Sequence, residues 1–321
     1  MDAKRDADID PAPLAGKRIA ILGYGNQGRA QALNLHDGGF DVVVGLRDGS
    51  SSRDKVERDN VPLASLVDAA TSADLVMLLA PDEVLGALYR DIEPHLRHGA
   101  ALGFSHGLAI RFQLIVARPD LDVIMVAPKG PGSALRASYE AGKGMVALTA
   151  VAQDASGGAE ALALAYGRAI GCGRAGLIAS SFAEECEADL FNEQAVVWGA
   201  VPEILIAGFD TLVEAGVSEA VAYMECVGEL KLLADLIEAR GIAGMREAIS
   251  NTAELGAVVG GPKIVDDGVR QRMRAILADV REGRFAAALA DEEASGYPVL
   301  RQARERARGL KVEQARKRLI N

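Results

Sequence analysis

The chain has 321 residues, half of them apolar and a quarter charged, with a net charge of −10. That length favours two domains, and the apolar half is enough to give each a buried core. The negative charge argues against a nucleic-acid partner, because phosphate binding wants a basic face.

Residues 17–150 alternate short apolar runs with amphipathic stretches. Strands are expected at 17–22, 41–45, 75–79, 100–104 and 123–126, with one more at 144–151. Helices are expected at 27–38, 65–73 and 83–95. Short apolar strands alternating with helices mean an α/β Rossmann-type domain, a parallel sheet covered on both faces. After Ser180 the strand-like runs stop. Patterns of period 3.6 take over at 182–197, 203–214, 218–240, 269–282 and 300–319. The expected organisation is therefore a dinucleotide-binding domain over 1–180 and an all-helical domain over 181–321. Apolar runs such as 74–80 are too short to cross a bilayer, and residues 1–13 lack an apolar signal core. A cytoplasmic protein with no membrane partner is expected. Cys172, Cys186 and Cys226 lack metal-ligand spacing and read as reduced thiols.

Gly23-Tyr24-Gly25-Asn26-Gln27-Gly28 is a GxGxxG directly after the first strand and at the start of a helix. Gly23 permits the tight turn, Gly25 lets a pyrophosphate approach the backbone, and Gly28 allows close helix–strand packing. The helix N-terminus then offers free N–H groups to the phosphates. The second strand runs out into Arg47, Asp48, Ser50 and Ser52. A guanidinium and hydroxyls suit the 2′-phosphate of NADPH. Asp48 keeps NADH possible, since a carboxylate there can bind ribose hydroxyls.

Asp189 and Glu193 are four apart on one expected helix, and Glu225 and Glu229 are four apart on another. Each pair shares a helix face. Hard oxygen donors without His or Cys suit Mg²⁺ or Mn²⁺. Spacing alone favours a solvated acidic face over a metal site.

The segments GYGNQG, GLRDGSSS, LAPDEV, FSHG, APKGPG, FAEECEADLFNEQ, AYMECVGELK and ISNTAELG resemble, in the same order, the signature segments of short-chain, class I ketol-acid reductoisomerase. The resemblance runs from about Gly16 onward. It implies a knotted helical second domain, a homodimer with active sites at the interface, and the possibility of a higher oligomer. It also implies two Mg²⁺ ions, an alkyl migration in an acetohydroxy acid, and reduction by NADPH to a dihydroxy acid for branched-chain amino acid biosynthesis. Matched position by position, it puts Tyr24, Gly25, Asn26, Gln27, Arg47, Ser50, Ser52, Asp82, Glu83, Val84, Leu85 and Gly132 at the cofactor. Asp189 becomes the bridging metal ligand, with Glu193, Glu225 and Glu229 completing the site. His106 and Lys129 fall near the reacting centre, and Ser250 contacts the substrate carboxylate from the partner subunit.

Several positions depart from the family pattern. Asn26, Arg29, Ser133, Val146, Asn192, Gly228 and Leu255 replace the family's usual serine, histidine, histidine, proline, glycine, histidine and tyrosine. Trp198 stands where the family has a small cysteine near the substrate, and an indole there would reshape a tight pocket. These changes keep a second expectation open: a related reductase acting on a different acceptor in a specialised pathway, without isomerisation.

Overall fold

The computed structural model describes residues 2–320. The chain divides into two compact units, one ending at Cys186 and one beginning at Glu187.

The first unit is built on one eight-stranded sheet. Its strands are β1 (Ile19–Leu22), β2 (Val42–Leu46), β3 (Leu63–Ser65), β4 (Leu75–Leu78), β5 (Ala101–Phe104), β6 (Asp122–Pro128), β7 (Ala147–Gln153) and β8 (Leu177–Ala179). The order across the sheet is β3-β2-β1-β4-β5-β6-β7-β8. Ile21 on β1 stands between Val44 on β2 and Met77 on β4, both in parallel register. Alternate residues feed two separate cores. Ile19, Ile21, Val44 and Met77 enter one, while Ala20, Leu22, Val43 and Val76 enter the other. A strand buried on both faces must be apolar throughout, which is why β1 reads Ile-Ala-Ile-Leu.

Seven α-helices join these strands among the described residues. They are α1 (Asn26–Asp37), α2 (Arg53–Arg58), α3 (Leu66–Ser72), α4 (Asp82–Ile92), α5 (Leu108–Arg111), α6 (Gly132–Glu140) and α7 (Ala159–Ala169). The α/β Rossmann architecture is as expected, with one difference. The expected strand at 144–151 is β7, and it runs antiparallel to β6. Its far end is exposed at Val151 and Ala152, while Ala147, Thr149 and Ala150 are buried.

The helix α8 (Phe182–Ala195) crosses the division between the units. Its first turn belongs to the first unit, where Phe182 packs edge-on against Phe104 at 6.0 Å. The boundary therefore falls six residues beyond the expected 180, because the start of α8 is already core. The second unit continues with α9 (Ala200–Glu214), α10 (Glu219–Tyr223), α11 (Leu230–Glu247), α12 (Asn251–Ile264), α13 (Asp267–Arg281), α14 (Arg284–Ala294), α15 (Pro298–Arg308) and α16 (Lys311–Ile320). The single helix expected over 218–240 is α10, a π-helical turn at Met224–Gly228, and the start of α11. Gly309 separates α15 from α16 where one helix was expected over 300–319. Phe209, Ala222, Tyr223, Val312 and Ala315 form this unit's small core. By length and composition the helical run Phe182–Glu214 is apolar enough to cross a membrane, which the short uninterrupted apolar runs of the sequence did not signal. That run is broken by a turn at 196–199.

Candidate active site at the carboxyl edge of the sheet

In a doubly wound sheet, ligand groups gather outside the carboxyl ends of the strands where the strand order reverses. Here β1 lies between β2 and β4. The glycine turn follows β1, Arg47 follows β2, Asp82 opens α4 after β4, His106 follows β5, and Lys129 follows β6. Five separate stretches of chain thus deliver the expected cofactor and catalytic groups to one edge of the first unit.

The turn has the shape that its glycines predict. Gly23 has φ +104°, a conformation open to glycine at little cost. A Cβ on Gly28 would collide with the Gly23 carbonyl oxygen, so α1 can start only against a bare backbone. A Cβ on Gly25 would meet nothing within 4 Å, leaving that face of the turn open. Asn26 begins α1, and its Oδ1 accepts a bond of 2.9 Å from the Ser133 N–H in the first turn of α6. Gly132 allows that approach, since a Cβ there would strike the Asn26 carbonyl oxygen. Two departures from the family pattern therefore meet at one contact.

Tyr24 is buried, and its hydroxyl donates to Asp59 Oδ2 at 2.8 Å. Arg29 grips the same carboxylate with two bonds of 2.6 and 2.8 Å. Burial and the Asp59 bond raise the Tyr24 hydroxyl well above the ordinary phenol range. The Arg29 guanidinium holds the Asp59 carboxyl below the usual carboxylate value, against burial. Ser52 Oγ donates to the Tyr24 carbonyl at 3.5 Å, and the Ser52 N–H donates to Ser50 Oγ at 3.3 Å. The loop carrying Arg47, Ser50 and Ser52 is thus tied to the glycine turn, while Arg47 and Asp48 themselves are exposed. Nothing in the sequence pattern pairs Asp59 with Arg29; the fold brings them together.

A cleft of about 140 Å³ opens beside the turn, lined by Gln27, Asp82, Leu85, Phe104, Ser105 and His106 among others. Glu83 and Val84 follow Asp82 in the first turn of α4.

The strongest electrostatic feature is a residue absent from the expected site list. Glu185, in the first turn of α8, is 1% exposed. Its Oε1 accepts from Lys129 Nζ at 2.7 Å. Its Oε2 accepts from the Gly107 N–H at 2.8 Å and lies 3.0 Å from His106 Nδ1. Gly107 makes this possible, because a Cβ there would strike the Phe182 carbonyl oxygen. A buried carboxylate is costly unless it is paired and hydrogen-bonded, and this one has two cationic groups and a backbone donor. Burial opposes charge on the His106 ring. The hydrogen bond with Cys186, the bond and charge of Glu185, and the charge of Asp82 outweigh it and push the imidazole up to about 11. Burial likewise opposes ionisation of Glu185, but His106 and Lys129 hold its carboxyl below the usual value. The outcome at neutral pH is a fixed imidazolium and ammonium around one carboxylate. Its sequence signal was only its place one helical turn before Asp189, within a run of four carboxylates.

The expected metal ligands lie in the second unit. Asp189 and Glu193 share a face of α8. Glu225 sits in the π turn and Glu229 closes it. Glu193, Glu225 and Glu229 are exposed, and among the described residues they belong to no cluster of three or more ligating side chains. Ser250 caps α12, its Oγ accepting from the Ala253 N–H at 3.2 Å. Trp198 is 62% exposed in the turn after α8.

Comparison with known proteins agrees with this plan. Residues 13–176 match the family "Acetohydroxy acid isomeroreductase, NADPH-binding domain", and residues 182–321 match "Ketol-acid reductoisomerase, C-terminal domain". The chain belongs to the ketol-acid reductoisomerase family. A solved structure of an NADH-preferring ketol-acid reductoisomerase from an uncultured archean is 41% identical, with a TM-score of 0.97 over 99% of this chain and 98% of that one. More distant likenesses show the fold alone. A semialdehyde dehydrogenase NAD-binding protein from Cupriavidus necator is 19% identical, with a TM-score of 0.64 over 83% of this chain and 99% of that one. A pyrroline-5-carboxylate reductase from Coxiella burnetii is 16% identical, with a TM-score of 0.60 over 83% and 98%. The ketol-acid reductoisomerase assignment makes the chain an NAD(P)H-dependent oxidoreductase that uses a nicotinamide cofactor.

Two tests address the geometry. Gly28→Ala should lose about 1–3 kcal/mol in urea unfolding, the usual cost of overpacking. Gly25→Ala should keep its stability and lose cofactor affinity; equal unfolding midpoints for the two variants would contradict this division of roles. The second test is histidine NMR titration. His106 should show no protonation step between pH 5 and 8, and Glu185→Gln should bring its step down from the alkaline range. Glu185→Gln should also destabilise by about 3–5 kcal/mol, as expected when one partner of a buried pair is removed. The raised His106 contributes stability in full below pH 6.5, and this fades as pH rises towards 11. The lowered Glu185 contributes above pH 4.5, and this fades as pH falls through its depressed value. Unfolding free energy should therefore decline on the alkaline side, and less steeply in Glu185→Gln. A wild-type His106 titrating near pH 6.5 would contradict the assignment.

Proposed function

We infer that this ketol-acid reductoisomerase uses NADPH and two Mg²⁺ ions, works as a homodimer in the cytoplasm, and converts an acetohydroxy acid to a 2,3-dihydroxy acid. The observation that carries the reading is the Glu185-held pair of His106 and Lys129 beside the cleft at the glycine turn.

Asp189, Glu193, Glu225 and Glu229 would hold the ions. The donor set fits: all four are carboxylates, the oxygen ligands that hard divalent cations prefer, and Asp189 and Glu193 share one face of α8. When bound, Mg²⁺ supplies Lewis acidity that acidifies a hydroxyl and polarises a neighbouring carbonyl, and NADPH supplies the hydride. The chain's own groups do the rest. The Lys129 ammonium and the His106 imidazolium present fixed positive charge where oxyanion character develops, with no reorganisation at the moment of reaction. Glu185 holds both groups in place, and with Cys186 it favours the charged form of His106. The turn at Gly25 admits the pyrophosphate, and Arg47, Ser50 and Ser52 receive the 2′-phosphate. Exposed apolar side chains around the carboxylates, such as Val221, Met224, Leu230 and Leu232, support a second copy of the chain at this surface, with Ser250 reaching the substrate carboxylate from that copy.

NADH is the second reading for the cofactor. Asp48 beside Arg47 favours it, as does the NADH preference of the 41%-identical relative.

Purified enzyme should oxidise NADPH with 2-acetolactate and Mg²⁺, and Asp189→Asn should abolish that activity while leaving cofactor binding intact. Turnover of 3-hydroxy-3-methyl-2-oxobutanoate without turnover of 2-acetolactate would replace this reading with reduction lacking isomerisation. Arg47→Ala should raise KM for NADPH about tenfold, the ~1.4 kcal/mol of one hydrogen bond to a charged group, and leave KM for NADH nearly unchanged. A wild-type KM lower for NADH than for NADPH would transfer the assignment to NADH.

A further inference from the structure

Helix α1 carries Gln27, Gln31 and Asn34 on one face, at buried or half-buried positions where a packed helix ordinarily places apolar residues. Gln31 and Asn34 are fully buried. A buried amide is tolerated only when each of its donors and acceptors is used. Gln31 meets that condition. Its Nε2 donates to Gln27 Oε1 at 3.1 Å and to Ser105 Oγ at 2.9 Å. Its Oε1 accepts from the Tyr166 hydroxyl at 2.7 Å.

The partners of those partners matter more. Ser105 precedes His106, and its own hydroxyl donates to the Val126 carbonyl at 2.9 Å. Gln27 Nε2 donates to the Gly130 carbonyl at 2.8 Å, and Gly130 follows Lys129. One buried amide therefore links the glycine turn to the loop carrying His106 and to the loop carrying Lys129. The directions are fixed along the chain of bonds. Ser105 spends its proton on Val126, so it accepts from Gln31. Tyr166 has its proton to give, so the Gln31 oxygen faces it. A Leu at this position would fill the same core and make none of these links.

We propose that Gln31 is a positioning residue for the reaction, holding the His106 and Lys129 loops in register with the dinucleotide turn. This rests on the reading of His106 and Lys129 as groups at the reacting centre. Glu185 fixes the side chains of those two residues, and Gln31 fixes the backbone that carries them.

The experiment compares Gln31→Leu, Ser105→Ala and Tyr166→Phe with wild type, well below the lowest Tm. Hydrogen exchange in the free enzyme should quicken in peptides covering 104–108 and 128–132 for Gln31→Leu. With 2-acetolactate, NADPH and Mg²⁺, kcat should fall about tenfold or more for Gln31→Leu and Ser105→Ala, while KM for NADPH stays within about threefold, the pattern of lost alignment in the transition state. Tyr166→Phe loses only the bond behind the amide, so Tm should drop while kcat stays within about twofold. Unchanged exchange in both peptides would overturn the proposal. So would a kcat for Gln31→Leu and Ser105→Ala within twofold of wild type, or an equal loss of kcat in Tyr166→Phe. A wild type that turns over none of these substrates would count against the proposed reaction, and the exchange measurement would still decide the role of Gln31.

Discussion

A carboxylate without water must find its positive charge within the chain. Glu185 is that constraint here. Moving such an ion out of water costs several kcal/mol even after relaxation. The structure offsets this with Lys129 from the end of β6, His106 from the end of β5, and the Gly107 backbone N–H. The partners come from two stretches of chain and the carboxylate from a third, so satisfying Glu185 fixes the relative position of three. The first turn of α8 must then lie against the His106–Gly107 backbone, and only a residue without Cβ fits at 107. The packing of Phe182 on Phe104 supports the same approach from the apolar side.

The same logic of close backbone approach recurs at the glycine turn. Gly28 and Gly132 each face a carbonyl oxygen that a Cβ would strike. One lets α1 start against the turn after β1, and the other lets α6 start against Asn26. Parallel strands make this arrangement available, because every strand ends on the same edge and every following helix presents its N-terminus there. Side-chain locks then fix the shape of the edge. The Tyr24–Asp59–Arg29 triad anchors the turn to the end of α2. Arg29 is thus more than a departure from the family pattern, since its guanidinium lowers the Asp59 carboxyl further and fixes it where it accepts from the Tyr24 hydroxyl.

What could be read from the residues alone follows from which signals are local. The glycine turn and the strand it follows are local, and the tight turn at Gly23 and the close packing at Gly28 were legible. So was the placement of His106 and Lys129, though only through the surrounding motifs. The direction of β7 was not legible, because an apolar run looks the same whichever way its neighbour runs. The π turn at Met224–Gly228 was hidden inside a helical period that it barely disturbs. Glu185 was hidden for a different reason. In Glu184-Glu185-Cys186-Glu187 nothing distinguishes the buried acid from its exposed neighbour, since burial is decided by where α8 docks. Gln31 was overlooked because a glutamine in a helix is usually solvated, and its partners lie 74 and 135 positions away.

Glu185, Asp189 and Glu193 repeat every four residues along one face of α8, yet their surroundings change from buried to exposed along that face. The change divides their chemistry. At the buried end the charge must be balanced by built-in cations, and the geometry is rigid and pre-paired. Further along the face Asp189 is half-buried and Glu193 exposed, so solvent takes a growing share of stabilising the charge. A helix that leaves the core in this way passes from a fixed, paired charge to solvated ones in steps of one helical turn. Spacing alone could not say which way these acids face; the burial of Glu185 does, because it sets the helix face on which Asp189 and Glu193 stand.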